Sequence, residues 1–251
     1  MPRTAKIPRA FLVITTGLGL LAMTAAGVPS ALAASPDFAA VVAAPDRSDA
    51  DKQTDQRRDP VKLLGFTGVE SGMKVLDMGA GGGYSTELLA RAVGPNGTVY
   101  GQDAQTRERF EARAKSPAMK NVVYVVRPFD DPIPPGVSNL DLITFFFFYH
   151  DVTYMPVDRA VMNRKMFEAL KPGGYLVIAD HSGPAGSGTT VGKTLHRIEE
   201  SALRKEIEAA GFTLVAEGDF LRHPEDPRDK PVFKPAVPVD EFVLKFQKPA
   251  R

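Results

Sequence analysis

Three short polar stretches of this chain hold side chains able to move protons or bind cations. Tyr149-His150-Asp151, Asp180-His181 and His196 contain three of the four histidines. The first closes the apolar run Leu140–Phe148, and the second closes Tyr175–Ala179. Histidine titrates near neutral pH, so these residue types suit general acid–base work. Imidazole nitrogen and carboxylate oxygen also suit zinc or manganese, which leaves a metal site from His150, His181, His196 and nearby carboxylates chemically open. No resident metal is assigned, and Glu199 and Glu200, one turn from His196, read equally well as a solvated helix face. The chain has no cysteine. That excludes disulfides, thiolate zinc sites, iron–sulfur clusters and cysteine nucleophiles together.

A second constellation is Val75-Leu76-Asp77-Met78-Gly79-Ala80-Gly81-Gly82-Gly83-Tyr84-Ser85. A glycine loop after a buried strand lets backbone approach a ligand at the strand's carboxyl end. The dinucleotide fingerprint G-x-G-x-x-G fails here, because Tyr84 or Thr86 stands where its third glycine belongs. A phosphate-binding P-loop fails too, lacking the Lys-Ser/Thr pair. Asp77, two residues before the first glycine, would repel a phosphate and suits a cationic ligand.

The elements that must position these residues alternate along the chain. Asp59-Pro60 is an N-cap followed by proline at the first helical position. Strands are expected at Met73–Met78, Thr98–Gln102, Asn121–Val126, Leu140–Phe148 and Tyr175–Ala179, with two more at Phe212–Leu221 and Asp240–Phe246. Helices are expected near Ser85–Val93, Gln105–Lys115, Asp158–Leu170 and Leu195–Ala210, the last closing at Gly211. This predicts an α/β fold: a doubly wound, mostly parallel, seven-stranded Rossmann-like sheet with an antiparallel last strand. Ligands of such sheets sit beyond the carboxyl ends of the strands, so His150, His181 and His196 fall at the expected active edge. Phe145–Phe148 read as core, with one ring available to line a cofactor pocket. Ser182–Gly192, with glycines at 183, 186, 188 and 192, is a candidate lid.

Asp77-x-Gly79-x-Gly81-x-Gly83 matches the acid-x-G-x-G-x-G first motif of class I S-adenosylmethionine-dependent methyltransferases, and the chain resembles that family. Asp103 ends the second strand, where the family places an acid on the ribose hydroxyls; a carboxylate can accept from both. Asp130 and Asp131 follow the third strand, where the family often has an acid near the adenine amino group. Leu170-Lys171-Pro172-Gly173-Gly174 resembles the turn before its fifth strand. The resemblance covers residues 59–248. It implies S-adenosylmethionine as cofactor, held by Asp77, Gly79, Ala80, Gly81, Gly83, Asp103 and Asp130. It also implies methyl transfer to an oxygen or nitrogen nucleophile of a small-molecule acceptor. On that expectation His150 is the first candidate base, oriented by Asp151 or bound to substrate. His181 is the second, and Tyr149 supplies a positioning hydroxyl. Pro45-Asp46-Arg47-Ser48, Tyr149-His150-Asp151, Asp180-His181-Ser182, Leu195-His196-Arg197-Ile198 and the ending Asp240–Phe246 resemble a group of exported, largely uncharacterised bacterial predicted methyltransferases. That narrower likeness names no substrate.

Composition adds limits and one conflict. Hydrophobic residues make up 43% and charged residues 24% of 251, ordinary for a globular domain. The formal charge of +1 gives no electrostatic reason to bind nucleic acid. Arg3, Lys6 and Arg9 precede an apolar stretch from Ala10 to Val28, and Ala31-Leu32-Ala33 fits a cleavage site. Together these describe a Sec-type signal peptide over 1–33, a polar arm expected to be loose over 34–58, and a methyltransferase-like domain over 59–251. Without the three leader bases, 28 Lys+Arg face 30 Asp+Glu. The expected location is periplasmic or secreted, or cytoplasmic if Met23 is the true start. The expected partner is a small-molecule substrate, with no nucleic acid, no membrane beyond the leader, and the oligomeric state left open. Because the cofactor is made in the cytosol, the leader also raises an alternative: an exported non-catalytic small-ligand-binding protein on a methyltransferase scaffold. The intact set Asp77, Gly79, Gly81, Gly83 and Asp103 favours the enzyme.

Overall fold

Alternation in the sequence becomes one sheet with helices on both faces. The computed structural model describes residues 35–233 and 235–250, with residues 1, 2 and 4. The leader and its cleavage site therefore lie outside the described residues. In chain order the first half runs α1 (Phe38–Val42), α2 (Asp49–Arg58), α3 (Pro60–Thr67), β1 (Lys74–Met78), α4 (Tyr84–Val93), β2 (Thr98–Asp103), α5 (Glu108–Arg113) and β3 (Val122–Val126). The second half runs β4 (Leu140–Phe146), α6 (Tyr149–Val152), α7 (Arg159–Ala169), β5 (Leu170–His181), α8 (Gly192–Leu195), α9 (Glu200–Ala209), β6 (Thr213–Gly218) and β7 (Glu241–Gln247).

The strand order is β3-β2-β1-β4-β5-β7-β6. Neighbours from β3 to β5 are parallel, whereas β7 runs antiparallel to both β5 and β6. This is the expected doubly wound sheet with its antiparallel last strand. The order reverses between β1 and β4, which opens a crevice at their carboxyl ends. Consecutive apolar residues of β4 serve two cores. Ile143 and Phe145 pack with Met162, Met166 and Leu203 on one face. Leu142 and Phe146 pack with Leu88, Leu89 and Val93 on the other. Such a strand cannot alternate polar with apolar, because neither face meets water.

Two expectations change. The arm expected to be loose folds into α1 and α2 and docks on the domain. Ser48 caps α2 by accepting from Asp51 N at 3.1 Å. Arg47 pairs with Asp55 at 2.7 Å, Arg91 with Asp46 at 2.9 Å, and Arg113 with Asp51 at 2.7 Å. A helix polar on all sides is held by such pairs, and its composition alone reads as loop. The helix expected over Leu195–Ala210 starts later, as α9 at Glu200, and Leu195 instead ends the short α8. His196 stops α8 by adopting a left-handed backbone at φ 52° as its C-cap. Among the described residues no helix is long and apolar enough to cross a membrane.

Candidate active site

β1 delivers Asp77 to the floor of the crevice, and the glycine loop then turns the chain into α4. Gly79, Gly81 and Gly83 all take positive φ, at 63°, 53° and 81°. The turn is pinned by Ala80 N donating to Gln102 O and Gly83 N donating to Ala80 O, both at 2.8 Å. A Cβ at Gly79 would lie 3.1 Å from the Phe148 ring and 3.2 Å from Phe145. At Gly81 a Cβ would meet nothing nearer than Gly79 O at 3.9 Å, so backbone is bare to the crevice there. Asp77 is buried and accepts from Ser85 Oγ (2.8 Å), Thr86 Oγ1 (2.6 Å) and Thr144 Oγ1 (2.8 Å). Burial raises its carboxyl above the usual range against the pull of those three hydroxyls. Its role here is to tie β1, α4 and β4 together and set the loop's shape.

Beyond the loop, Gly81, Gly82, Asp103, Thr106, Arg107 and Phe148 line an open cleft of about 830 Å³ including its solvent-filled mouth. Asp103 ends β2 and accepts from Gln105 N at 3.2 Å and Arg107 Nε at 2.9 Å. Phe148 is the ring that reaches the cleft, and Phe129 stacks on it with centroids 5.2 Å apart. Of the two acids after β3, Asp131 is engaged by Arg127 and lies 3.7 Å from Lys165. Asp130 makes none of the described side-chain bonds and stays half-buried beside Phe129.

On the loop's other side stands a residue that sequence reasoning missed. Arg58, the last residue of α2, lies 4.4 Å over the Phe147 ring and 5.3 Å over Tyr84. Its Nε is buried without a hydrogen-bond partner. Burial and neighbouring Arg57 lower its pKa to about 10, against the pull of Glu241 and Asp77. An arginine in that condition suits an anionic group that none of the described residues brings to its Nε. No local signal marks it, because only the docking of the arm brings it to the loop.

The histidines do gather, but in a different arrangement from the expected one. His150, at the start of α6, is buried, and its Nδ1 lies 2.6 Å from Asp180 Oδ1. Asp180 Oδ2 accepts the His150 backbone N–H, and Oδ1 accepts that of His181, both at 2.8 Å. The orienting acid is thus Asp180, whereas Asp151 lies 3.3 Å from the opposite ring nitrogen, Nε2. Burial opposes charge on His150, yet Asp180 and Asp151 together raise its pKa to about 10. Asp151 is reached also by His196 Nδ1 at 3.2 Å and by the Tyr154 hydroxyl. The His181 ring stands 5.4 Å from that of His150. Its Nδ1 lies 2.9 Å from Glu241 Oε1 but out of line for a good hydrogen bond. Tyr149 is not brought to this group. Its hydroxyl donates to Glu206 Oε2 and accepts from Asn163 Nδ2, both at 2.8 Å, on the α7–α9 side of the core.

Known proteins share this frame. The family model described as "Methyltransferase domain" matches residues 69–218, more than half of the chain. The chain is 32% identical over 124 residues to the ubiquinone/menaquinone biosynthesis C-methyltransferase UbiE of Pseudomonas paraeruginosa, covering 49% of this chain and 47% of that protein. It is 34% identical over 128 residues to a demethylmenaquinone methyltransferase of Staphylococcus aureus, covering 49% of each. The chain spans about half the length of the curated relatives it matches. Among solved structures, a SAM-dependent methyltransferase from Aquifex aeolicus superposes with a TM-score of 0.57 at 23% identity, over 80% of this chain and 99% of that one. The glycine loop, the sheet order and the family match converge: this chain belongs to the methyltransferase domain family and has the class I, S-adenosylmethionine-dependent methyltransferase fold.

Proposed function

We propose that the protein transfers a methyl group from S-adenosylmethionine to an oxygen or nitrogen of a small-molecule acceptor. The carrying observation is the pairing of bare backbone at Gly81 and Asp103 on one side of the loop with the partnerless Arg58 Nε on the other. Asp103 uses two of roughly four acceptor positions and is 1% exposed behind Arg107, so ribose hydroxyls would reach it on a turn of the Arg107 side chain. Phe148 offers an apolar ring to a base, and Asp130 an acceptor for an exocyclic amine. Arg58 matches the carboxylate of an amino-acid tail. The residues present therefore fit this cofactor, which supplies a methyl group on a sulfonium centre open to direct attack by a nucleophile.

The chain's own part is mainly positioning, since attack and departure must be collinear. His181, with Glu241 beside its Nδ1, is the candidate to take the acceptor's proton at Nε2. His150, engaged at Nδ1 by Asp180 and 3.3 Å from Asp151 at Nε2, is left a positioning part. One matched relative is named as a C-methyltransferase of ubiquinone/menaquinone biosynthesis and the other as a demethylmenaquinone methyltransferase, which supports a small-molecule acceptor class here. The assay is transfer of labelled methyl from S-adenosylmethionine by the full chain to a panel of phenols, alcohols and amines. The reading predicts label in at least one acceptor, reduced ~100-fold or more in His181→Asn at unchanged cofactor affinity. Label confined to acidic carbon acceptors would contradict it.

The basic, apolar and small-residue segments of the leader support export of the mature domain. Mass analysis of the N-terminal peptide from native cells is expected to show a start at Ala34. A start at Met1 or Met23 would contradict export by this route.

A further inference from the structure

Three side chains carried by two short helices converge on one point beside the cleft. His150 Nε2 lies 3.3 Å from Asp151 Oδ1, and His196 Nδ1 lies 3.2 Å from the same oxygen. The ligating atoms of all three lie within 4.8 Å of one another. Charge-assisted hydrogen bonds close to about 2.7–2.9 Å, so these separations are long for ion pairs. Donors about 2.05 Å from a tetrahedral zinc stand about 3.3 Å apart, which two edges of the triangle already match.

The surroundings hold the rings for that purpose. Asp180, itself fixed by two backbone N–H groups, bonds His150 Nδ1 and turns Nε2 toward the cluster. A carboxylate behind a histidine in this way fixes its tautomer and raises its basicity as a metal ligand. His196 reaches Asp151 only because its backbone takes the strained left-handed conformation at φ 52°. Gly192 lets α8 press against α6: a Cβ there would lie 2.2 Å from Thr153 Oγ1 and 2.6 Å from His150 O. His150 is 4% exposed at its side chain, against 15% for Asp151 and 25% for His196, so the cluster is deepest at His150 and nearest solvent at His196, whose ring meets that of Phe233 at 4.7 Å.

We propose that His150, Asp151 and His196 form a site for a zinc-type divalent cation, with Asp180 as positioning residue and a fourth position open to an oxygen or nitrogen ligand. A cation there would polarise an acceptor atom bound at the open position. The site requires neither the cofactor nor methyl transfer, so its failure and theirs are separable.

The test uses the full, untagged chain, stripped with a chelator and titrated with Co²⁺, then with Zn²⁺ in competition. Visible absorption reports tetrahedral Co²⁺. The expected result is saturation at one equivalent and loss of the band on adding Zn²⁺. His196→Asn and Asp151→Asn, both on the open side, are expected to weaken binding at least ~100-fold, beyond the loss of an outer hydrogen-bond partner. His223→Asn, changing the fourth histidine, is expected to bind as the parent does. Circular dichroism checks folding, and either folded ligand variant suffices to decide. Absence of saturable binding, or parent-like binding by a folded His196→Asn or Asp151→Asn, would overturn the proposal.

Discussion

Gly79 and Gly81 share a left-handed backbone yet answer to different neighbours. Alanine at either costs about 1–2 kcal/mol in conformation. At Gly79 the new methyl also meets the Phe148 and Phe145 rings, so Gly79→Ala is expected to lower the melting temperature more than Gly81→Ala. At Gly81 the methyl would stand in the space kept for ligand, so Gly81→Ala is expected to lose cofactor affinity while staying folded. Thermal melts and calorimetry on both variants check this. Arg58→Ala is expected to raise the Kd for S-adenosylmethionine ~10–100-fold, the effect of one hydrogen bond to a charged group. An unchanged Kd would remove Arg58 from the site. The glycines and Asp103 were legible because their motif is local and periodic. Arg58 was not, and Asp180 stood in the sequence without a role, because both act only once distant elements are packed.

Among elements, α2 shows how far composition can mislead. Its ten residues have no apolar stripe, yet Asp51 pairs with Arg113 of α5 and Asp55 accepts from the Tyr84 hydroxyl of α4. Arg113 bridges Asp51 of α2 and Glu87 of α4; its truncation would leave the buried Asp51 carboxylate without its arginine, while Glu87 keeps Arg91 at 2.8 Å. Arg113→Ala is expected to cost ~3 kcal/mol in urea unfolding, the low end for breaking a buried pair. The pH dependence has a definite sign. Burial works against charge on Asp51, and Arg113 outweighs it, holding the carboxyl below the usual range. A depressed folded-state pKa gives stability that is present above the ordinary carboxyl pKa of ~3.9 and lost as pH falls through the folded value. Unfolding free energy of the parent should therefore drop more steeply below about pH 4 than that of Arg113→Ala. Strands were easier to read than such helices. β4 is apolar at consecutive positions because both its faces are covered, whereas the break at His196 leaves no mark in helix-forming residues.

At the scale of the molecule, the parallel order from β3 to β5 with reversal between β1 and β4 decides where chemistry can occur. It places the glycine loop, Asp103 and the histidine group at one edge of the sheet, and the alternation of strands and helices was enough to foresee that edge. The alternation could not foresee the arm, which closes over the loop through ion pairs made by residues far apart in sequence. The proposed cofactor cleft lies beside the glycine loop and the carboxyl end of β2, and calorimetric titration of the full chain with S-adenosylmethionine tests it most directly. Saturable binding at one equivalent is expected, abolished by Asp103→Ala in a chain that still folds. No binding by the folded parent, or binding untouched by Asp103→Ala, would contradict it.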